Sequence, residues 1–487
     1  MPASAAIVWF RQDLRLAGNP ALKAAAAAGG PVVPAYVWSP DEEGRWAPGA
    51  ASRWWLRRSL AALDADLRQR GSRLVLRRGE AAAVLLEIAA ATGARAVLWN
   101  DRREPTAREQ ERAVAEALAG AGVEARRFNG SLLADPRALR NRQGKPYRVF
   151  TPFWKALREL PEAPAPPAAP RRLAAPARWP RSDRLGDLGL PAAVDEAGGL
   201  AETWQPGEAG AAKRLRRFLD RALAAYPGDR DRPDVEGVSR LSPHLHFGEI
   251  GPAQVWRAVG RRAARDPSLA PAAEAFLRQL AWREFGHHLL AHFPFTPEDN
   301  LDARFDRFSW RRAPRELAAW REGRTGFPVV DAGLRQLRET GWMHNRVRMI
   351  AGSLLVKHLL LDWRQGAAWF WDTLVDADLA NNTLGWQWVA GCGADAAPYF
   401  RVFNPVRQGG RFDPDGAYVR RWVPELSALP ARWIHAPWTA PAAALTEAGL
   451  RLGRDYPRPL VDPDAGRRRA LDAYRRLRAD ERASRHG

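Results

Sequence analysis

The stretch from Trp371 to Pro405, WDTLVDADLANNTLGWQWVAGCGADAAPYFRVFNP, decides what the second half of this chain can be. Two carboxylates lie two residues apart at Asp376 and Asp378, and the adjacent amides of Asn381 and Asn382 follow. Two indoles come next, and a run of aromatic residues with one arginine closes the stretch. An ordinary core helix repeats Leu or Val at helical spacing. Here those positions carry groups that hydrogen-bond or stack, so the stretch predicts a binding site.

Length and charge limit what kind of protein this is. A chain of 487 residues is too long for one hydrophobic core, so we expect two or more domains. The formal net charge is +20, which indicates a polyanionic partner whose phosphates bind Arg and Lys. A solvated arginine-rich surface is the plainer alternative. The 22 tryptophans are candidates for core packing, base stacking or electron transfer.

The cellular setting is predicted from what the sequence does not contain. Cys392 is the single cysteine, so a disulfide within the chain is excluded and a reducing compartment fits. The N-terminus has no basic leader or cleavage site, and the most apolar run, AGSLLVKHLLL, is interrupted by Lys357 and His358. We therefore expect a cytoplasmic monomer without a membrane partner.

Strand and helix patterns alternate over residues 1–130. This alternation predicts an α/β fold, with a doubly wound parallel sheet in an N-terminal domain. Asn19 with Pro20 should cap the first helix, and Ser52 should cap the next. The first turn lacks GxGxxG and the chain lacks a Walker A motif, so neither a nicotinamide site nor a P-loop is predicted. The predicted strands are 6–10, 32–38, 73–77, 96–100 and 123–128.

The remainder of the chain is predicted to be a connection followed by a helical domain. Residues 131–207 should connect the domains and contain a semi-extended, Pro/Ala-rich linker over 161–183. Residues 208–487 should form the helical domain, with loops at 227–237 and 391–416 and a weakly helical end.

Several motifs together resemble the photolyase/cryptochrome family, in which DxDL, Asn-Asn and GWQW surround FAD. Two further stretches, 39–56 and 432–441, are most similar to plant cryptochromes and to the bacterial class III cyclobutane pyrimidine dimer photolyases. The other motifs are FRQDLRL (10–16), SRLSPHLHFGE (239–249), WREF (282–285), GRTGFPVVDAG (323–333) and TGWMHNRVRM (340–349).

The resemblance implies FAD in the helical domain and an antenna pigment in the α/β domain, with methenyltetrahydrofolate favoured over a deazaflavin. It places Arg348 against Asp376, Asp378 on the flavin or ribose, and Asn382 on the flavin N5. The FAD-binding residues that it implies are Tyr226, Val238, Ser239, Arg240, Leu241, Ser242, Phe276, Arg283, Asn345, Arg348, Asp376, Asp378 and Asn382.

Two helices carry a candidate lesion pocket. Gln279, Trp282 and Arg283 share one face of a helix over 276–288, and Asn345, Arg348 and Met349 share a face of the other. Standing alone, the first face is more typical of a partly buried aromatic with a surface salt bridge, and Met349 of a residue that fills a gap in the core. By resemblance, the residues that contact a flipped pyrimidine dimer are Gln279, Trp282, Asn345, Met349 and Trp388.

Further resemblances concern electron transfer and DNA. Trp386, Trp363 and Trp310 match the family's electron relay, although each by itself is more typical of core. The residues that match the family's contacts to the DNA backbone, where a solvated side chain is the plain alternative, are Arg230, Arg346, Arg401 and Gln408.

These features together predict a light-driven lyase that splits cyclobutane dimers in UV-damaged DNA by electron transfer from excited, reduced FAD. A cryptochrome-type photoreceptor is the alternative, and a general single-strand-binding protein leaves the paired carboxylates unexplained. Gln279 departs from the Glu usual in dimer photolyases and is shared with (6-4) photolyases, but the latter place histidines at Asn345 and Met349. A metal at Asp376 and Asp378 is not predicted, because no third carboxylate has the necessary spacing.

Overall fold

The computed structural model describes residues 4–161, 165–191, 199–396 and 400–483. The chain forms two compact units. The predicted domain boundaries at residues 130 and 207 stay a prediction. Unit 1 comprises Met1–Ala224, Ser239–Pro294 and Val375–Ala380, and unit 2 comprises Ala225–Val238, Phe295–Leu374 and Asn381–Gly487.

Unit 1 contains a five-stranded parallel sheet with the strand order β3-β2-β1-β4-β5. The chain order reverses at β1, which pairs with β2 on one side and β4 on the other. In open α/β sheets, ligands bind at such a reversal, beyond the carboxyl ends of the strands. The predicted doubly wound parallel sheet is confirmed. Its strands are β1 (Ala6–Phe10), β2 (Val32–Trp38), β3 (Val75–Arg78), β4 (Ala96–Asn100) and β5 (Glu124–Phe128).

The helices between these strands begin directly after residues that can serve as N-caps. Asn19 caps the first helix, accepting a hydrogen bond from the Leu22 amide at 3.1 Å, with Pro20 in the first turn. The prediction that Ser52 caps the second helix is wrong. That helix begins at Ala50, because Gly49 already has the extended backbone of a cap residue, and Ser52 is buried inside the helix. The longer helices between the strands are Pro20–Ala27, Ala50–Arg68, Ala81–Thr92 and Pro105–Gly120.

The described part of the proposed linker, 165–183, has no helix or strand and is bonded to the rest of unit 1. The Ala174 carbonyl accepts from the Val32 amide at 2.8 Å, and the Asp183 amide donates to the Leu76 carbonyl at 2.7 Å. The segment is therefore anchored along its length. Residues 162–164 of this prediction lie outside the described residues.

Unit 1 also contains a buried carboxylate, Glu249, that joins distant parts of the chain. Its Oε1 accepts from Trp55 Nε1 at 2.9 Å and from the Gly207 amide at 2.7 Å, and also from the Ser59 hydroxyl. Its other oxygen contacts His244 Nδ1. The remaining helices of unit 1 are Pro40–Glu43, Phe150–Glu159, Gly199–Thr203, Glu208–Arg221, Ser242–His246, Pro252–Arg265 and Ala270–His292.

Unit 2 is helical, as predicted. The interpretation of 391–416 as one loop is wrong in part, since Asn404 caps a helix over Pro405–Phe412. Among the described residues, no helix is long and apolar enough to cross a membrane. The other helices that lie in unit 2, wholly or for most of their length, are Tyr226–Asp229, Pro314–Arg321, Pro328–Thr340, Asn345–Ser353, the π-helix Leu354–His358, Trp363–Thr373, Leu379–Ala390, Ala417–Trp422, Ala431–Ile434, Ala442–Glu447 and Pro463–Ala483.

Candidate functional site

Asp378 lies in a buried histidine cluster of unit 1. His287 Nε2 is 3.2 Å from Asp378 Oδ2, and His246 Nδ1 is 3.9 Å from the same oxygen. Burial by itself raises the pKa of Asp378, but His287 and His246 more than offset it and hold the pKa well below its usual value. The structure therefore holds this carboxylate ionised in a place where water is scarce.

The histidine cluster contains ring nitrogens that could bind a ligand. Among the described residues, nothing hydrogen-bonds His287 Nδ1 or His246 Nδ1, although both side chains are buried. Buried polar atoms are costly without partners, so unsatisfied ones in a folded protein are expected to face a ligand or water. The residues here fit a polar group such as the flavin or ribose of FAD. Sequence reasoning missed the role of both histidines, although His246 lies within the quoted SRLSPHLHFGE motif and His287 follows WREF by two residues.

The SRLS turn, also in unit 1, has an uncommon backbone. Arg240 has φ of +51°, a left-handed conformation that is rare for a residue other than glycine. The Leu241 amide donates to Ser239 Oγ at 3.3 Å, which tightens the turn just before the Ser242–His246 helix. Such strain is typical of backbone held for a ligand, and this is where the resemblance implies FAD contacts.

Two other residues with predicted FAD contacts lie on the Ala270–His292 helix. Phe276 is buried against Phe218 at 4.5 Å between ring centroids. Arg283 Nη1 donates to Glu284 at 2.9 Å and to the Ser131 carbonyl at 3.2 Å. Arg283 is therefore held by protein partners on one side. Its predicted contact with FAD stays a prediction.

The same helix carries the first half of the candidate lesion pocket. Gln279 and Trp282 are both half-buried and lie one turn apart. The Trp282 indole is stacked on Phe150, with ring centroids 3.8 Å apart and planes 7° apart. Phe150 covers one face of the indole and fixes its orientation, so the opposite face can serve as a rigid stacking plane.

Asn345 and Met349 form the corresponding pair in unit 2. Asn345 Nδ2 lies 3.9 Å from Met349 Sδ, one turn along the helix that begins at Asn345, so these two residues share a face as predicted. Arg348 Nε donates to the Met343 carbonyl at 2.8 Å. Arg348 belongs to unit 2 and Asp376 to unit 1, and their predicted pairing stays a prediction.

Asn382 and Trp386 lie on the Leu379–Ala390 helix, within the stretch from Trp371 to Pro405. Asn382 Nδ2 donates to the Ala367 carbonyl at 3.0 Å, which fixes the orientation of the amide. The Trp386 indole is buried against Phe370 and Trp320 at 5.0 and 6.1 Å. Trp320, fully buried, is a neighbour that sequence reasoning missed, because the contact joins residues far apart in the chain.

The other two tryptophans of the proposed relay differ in burial. Trp363 is fully buried, and its Nε1 donates to Asn300 Oδ1 at 3.0 Å. Trp310 is half-buried. This decrease in burial suits a path that ends near solvent. Transfer along the three residues stays a prediction.

The remaining candidate residues lie in unit 2. Tyr226 is buried, which raises the pKa of its phenol to about 12. Val238 is half-buried and directly precedes the SRLS turn. Trp388 is half-buried, with Arg401 5.6 Å above its ring. Gln408 lies in the first turns of the Pro405–Phe412 helix, which corrects its placement in a loop.

Two of the proposed DNA-binding arginines share one carboxylate. Arg346 Nη2 lies 2.9 Å from Asp231 Oδ2, and Arg230 Nε lies 3.9 Å from Asp231 Oδ1. The Arg346 guanidinium also lies 4.5 Å above the Phe412 ring, and its side chain is only 16% exposed. Asp231 therefore lies against two of the arginines that the resemblance assigns to the DNA backbone, and their contact with DNA stays a prediction.

Comparison with known proteins identifies the class of this structure. Residues 276–476 match the model described as "FAD binding domain of DNA photolyase", and residues 6–171 match "DNA photolyase". The protein is thus a flavoprotein with a photolyase-type sheet domain.

Individual relatives cover almost the whole chain. A deoxyribodipyrimidine photo-lyase of Agrobacterium fabrum is 49% identical over 96% of this chain and 97% of its own length. Cryptochrome-2 of Arabidopsis thaliana is 40% identical over 97% of this chain and 79% of its own. The crystal structure of a bacterial class III photolyase from Agrobacterium tumefaciens superposes with a TM-score of 0.95 at 48% identity, covering 98% of each chain. The chain belongs to the photolyase/cryptochrome family.

Proposed function

We propose that this protein is a light-driven DNA repair lyase that splits cyclobutane pyrimidine dimers. The observation that carries the proposal is the indole of Trp282, locked against Phe150 one turn from Gln279. A fixed aromatic plane beside an amide is what a flipped, damaged base needs, because the ring stacks it and the amide reads its carbonyls. The relatives named photo-lyase support the same reaction.

In the proposed reaction, the residues of the chain bind and orient FAD and the damaged base and shield them from water. Asp378 and the SRLS turn would hold FAD. Asn382 is proposed to face the flavin N5, with its amide nitrogen held by the Ala367 carbonyl. When bound, reduced and excited by light, FAD supplies the electron that opens the cyclobutane ring. Gln279 then donates an N–H to a base carbonyl that gains negative charge, a contact that strengthens as the reaction proceeds.

Trp386, Trp363 and Trp310 are proposed to supply electrons that reduce the bound flavin before repair. Trp363→Phe should block photoreduction of oxidised FAD and leave repair intact after chemical reduction. Normal photoreduction in Trp363→Phe would mean that another route, such as one through the buried Trp320, supplies the electron.

An antenna pigment is proposed for the pocket at the reversal point of the sheet. Trp9, Tyr36, Trp38, Glu43 and Arg102 contribute to its lining. Trp9 Nε1 is buried with no hydrogen-bond partner among the described residues, which suits a polar, aromatic ligand. Methenyltetrahydrofolate is favoured over a deazaflavin. Denaturing the purified protein and identifying the released pigment by mass spectrometry tests the choice.

A repair assay tests the function. The protein is proposed to be a cytoplasmic monomer. After purification its FAD is reduced chemically, and the protein is mixed with an oligonucleotide carrying one cyclobutane dimer and illuminated with near-ultraviolet light. We expect restored pyrimidines in the light, none in the dark, and no repair of a (6-4) product. Repair of neither lesion by protein that retains FAD would support a cryptochrome-type photoreceptor instead.

The Gln279 variants test lesion recognition. Gln279→Glu should keep dimer repair, whereas Gln279→Leu should lower the repair yield without releasing FAD. Equal repair by Gln279→Leu and wild type would reduce this side chain to a packing role.

A further inference from the structure

Trp310 is not the last aromatic residue on its side of unit 2. Its ring centroid lies 4.5 Å from that of Phe308. Phe308 in turn lies 5.6 Å from Phe305 and 6.1 Å from Phe400. The aromatic packing therefore continues beyond the predicted end of the relay.

Both branches from Phe308 meet at one residue, Tyr474. Phe400 is stacked on the Tyr474 ring at 4.5 Å with planes 7° apart, and Phe305 lies 6.3 Å from it. Phe305 and Phe308 are buried. The five rings form one cluster, here called the Tyr474 cluster: Phe305, Phe308, Trp310, Phe400 and Tyr474.

Tyr474 is the only member of this cluster besides Trp310 that can be oxidised by a tryptophan radical. Phenylalanine rings are too difficult to oxidise to hold the charge. Here they only fill the space through which an electron tunnels between Tyr474 and Trp310. A phenol loses its proton when it loses an electron, and this makes the oxidation hard to reverse. Tyr474 is half-buried on the Pro463–Ala483 helix, so its proton has a path to solvent.

One amino group lies directly against the cluster. Lys357 Nζ is 3.1 Å from the Phe400 ring centroid and donates to the Ala390 carbonyl. Burial lowers the pKa of Lys357 well below its usual value, which favours the neutral amine. A permanent cation at this distance would have made oxidation of the neighbouring rings harder.

We propose that Tyr474 is the terminal electron donor of the relay and returns the oxidised Trp310 to its neutral state. The inference rests on the proposed function of the three tryptophans. Tyr474 gives one electron to the Trp310 radical cation, its O–H bond breaks, and the proton passes to water. A neutral tyrosyl radical stays on the Pro463–Ala483 helix. A thiol in solution then gives it a hydrogen atom, which restores the phenol and leaves a thiyl radical.

Flash photolysis of the full chain with bound, oxidised FAD tests this step. Tyr474→Phe keeps the stacked ring and removes only the hydroxyl. We expect a severalfold longer-lived tryptophan radical, loss of the tyrosyl signal in electron paramagnetic resonance, and a severalfold lower yield of reduced flavin with thiol. Ring-deuterated tyrosine should narrow the wild-type radical signal. Trp310→Phe should also remove it.

Two control variants locate the radical. Tyr147 is another half-buried, ring-packed tyrosine, and it lies outside the cluster; Tyr147→Phe should change nothing. Tyr399 precedes Phe400 and lies outside the described residues, so Tyr399→Phe is the second control. Loss of the tyrosyl signal in Tyr399→Phe but not in Tyr474→Phe would overturn the proposal, as would a signal that persists in Trp310→Phe.

The experiments distinguish failure of the relay hypothesis from failure of the Tyr474 hypothesis. Unimpaired photoreduction in Trp363→Phe would remove the relay itself. Blocked photoreduction in Trp363→Phe together with unchanged radical lifetimes in Tyr474→Phe would keep the relay and remove Tyr474. Dimer repair with chemically reduced FAD should be the same in wild type and Tyr474→Phe, which excludes misfolding as the cause of any change.

Discussion

His287 Nε2 lies 3.2 Å from the Oδ2 atom of Asp378, inside unit 1 and largely away from water. This pair connects a residue that no motif singled out to the carboxylate at the centre of the predicted FAD site. The low pKa of Asp378 depends on it, because burial alone would raise that pKa.

Removing the histidine should change the pH at which FAD is released. With its pKa depressed, Asp378 contributes to binding and stability above its unfolded pKa, and the contribution is lost only as pH falls below about 4. In His287→Leu the buried carboxyl loses that support, so its pKa rises and release should begin roughly 1–3 pH units higher. Fluorescence of released FAD across a pH series measures this.

The neighbouring histidine provides the control for that experiment. His288 is equally buried, but it bonds the Tyr147 amide and the Pro136 carbonyl. Burial lowers the pKa of His288 to about 4, so it is neutral at physiological pH. His288→Leu should cost stability without moving the pH of FAD release. Identical shifts in the two variants would contradict the assigned role of His287.

Asn382→Asp should change how bound flavin responds to light and pH. The amide nitrogen of Asn382 donates to the Ala367 carbonyl at 3.0 Å, and an ionised carboxylate would repel that oxygen. We therefore expect the introduced carboxyl to be protonated at neutral pH and to donate to Ala367 in its place. The protonation state of light-reduced flavin, read from its absorption spectrum, should then depend on pH in the variant alone.

FAD should stay bound in this variant, because no charge is added at neutral pH. Photoreduction spectra that match wild type at every pH would show that Asn382 does not face the flavin.

Gly366→Ala should disturb the Trp386 indole. A Cβ atom at Gly366 would lie 2.1 Å from Trp386 Cη2, far inside contact distance. The ring is also enclosed by Phe370 and Trp320, so it cannot move freely. We expect a loss of about 1–3 kcal/mol in the free energy of unfolding, as for an overpacked core, and slower photoreduction. Thermal unfolding and flash photolysis measure the two effects.

Gly385 is the matched control, since it immediately precedes Trp386 in the same helix. A Cβ atom there meets nothing within 4 Å. Gly385→Ala should stabilise the helix by about 0.5–1 kcal/mol. Photoreduction should be unaffected. A Gly366→Ala protein as stable and as fast as Gly385→Ala would mean that the Trp386 pocket adapts without cost.

Asp231→Asn should strengthen binding to dimer-containing DNA. Asp231 lies 2.9 Å from Arg346 and 3.9 Å from Arg230, so a phosphate must compete with it for both. Without the carboxylate the arginines are available, and each added phosphate contact should steepen the fall of log affinity with log salt by about 0.9. Titrations at several salt concentrations give the slope.

Arg346→Ala should act in the opposite direction, lowering affinity about equally for different flanking sequences, because phosphate contacts carry no sequence information. Asp234→Asn is a useful control, since Asp234 pairs with Arg232 instead. A salt-independent affinity in every variant would contradict binding through these arginines.

The sheet and the helical region were predictable because both depend on local pattern. Strands β1, β2 and β4 are buried apolar runs, as expected in a parallel sheet that helices cover on both faces, and the sequence marks them clearly. The start of the Ala50–Arg68 helix was not, because Gly49 competes with Ser52 as the cap and only the backbone decides between them.

The candidate site was predictable in its motifs but not in its partners. Asp378 and Asn382 are apparent in the stretch from Trp371 to Pro405, whereas His287 contacts Asp378 from a helix about ninety residues earlier in the chain. Asp231 is a similar case, since nothing in the sequence near Arg346 announces an acidic neighbour. Such pairings are set by tertiary packing, which local spacing does not encode.

The buried carboxylate of Glu249 also sets an order of events during synthesis. The ribosome completes the Ala50–Arg68 helix and Gly207 well before it reaches Glu249, which accepts from Trp55, Ser59 and the Gly207 amide. Until then these donors have no acceptor, and each costs about 1–3 kcal/mol if buried unpaired. These donors of unit 1 therefore acquire their protein acceptor only after residue 249 has been made, and we expect a fragment that ends at residue 207 to be less stable than the same residues in the full chain.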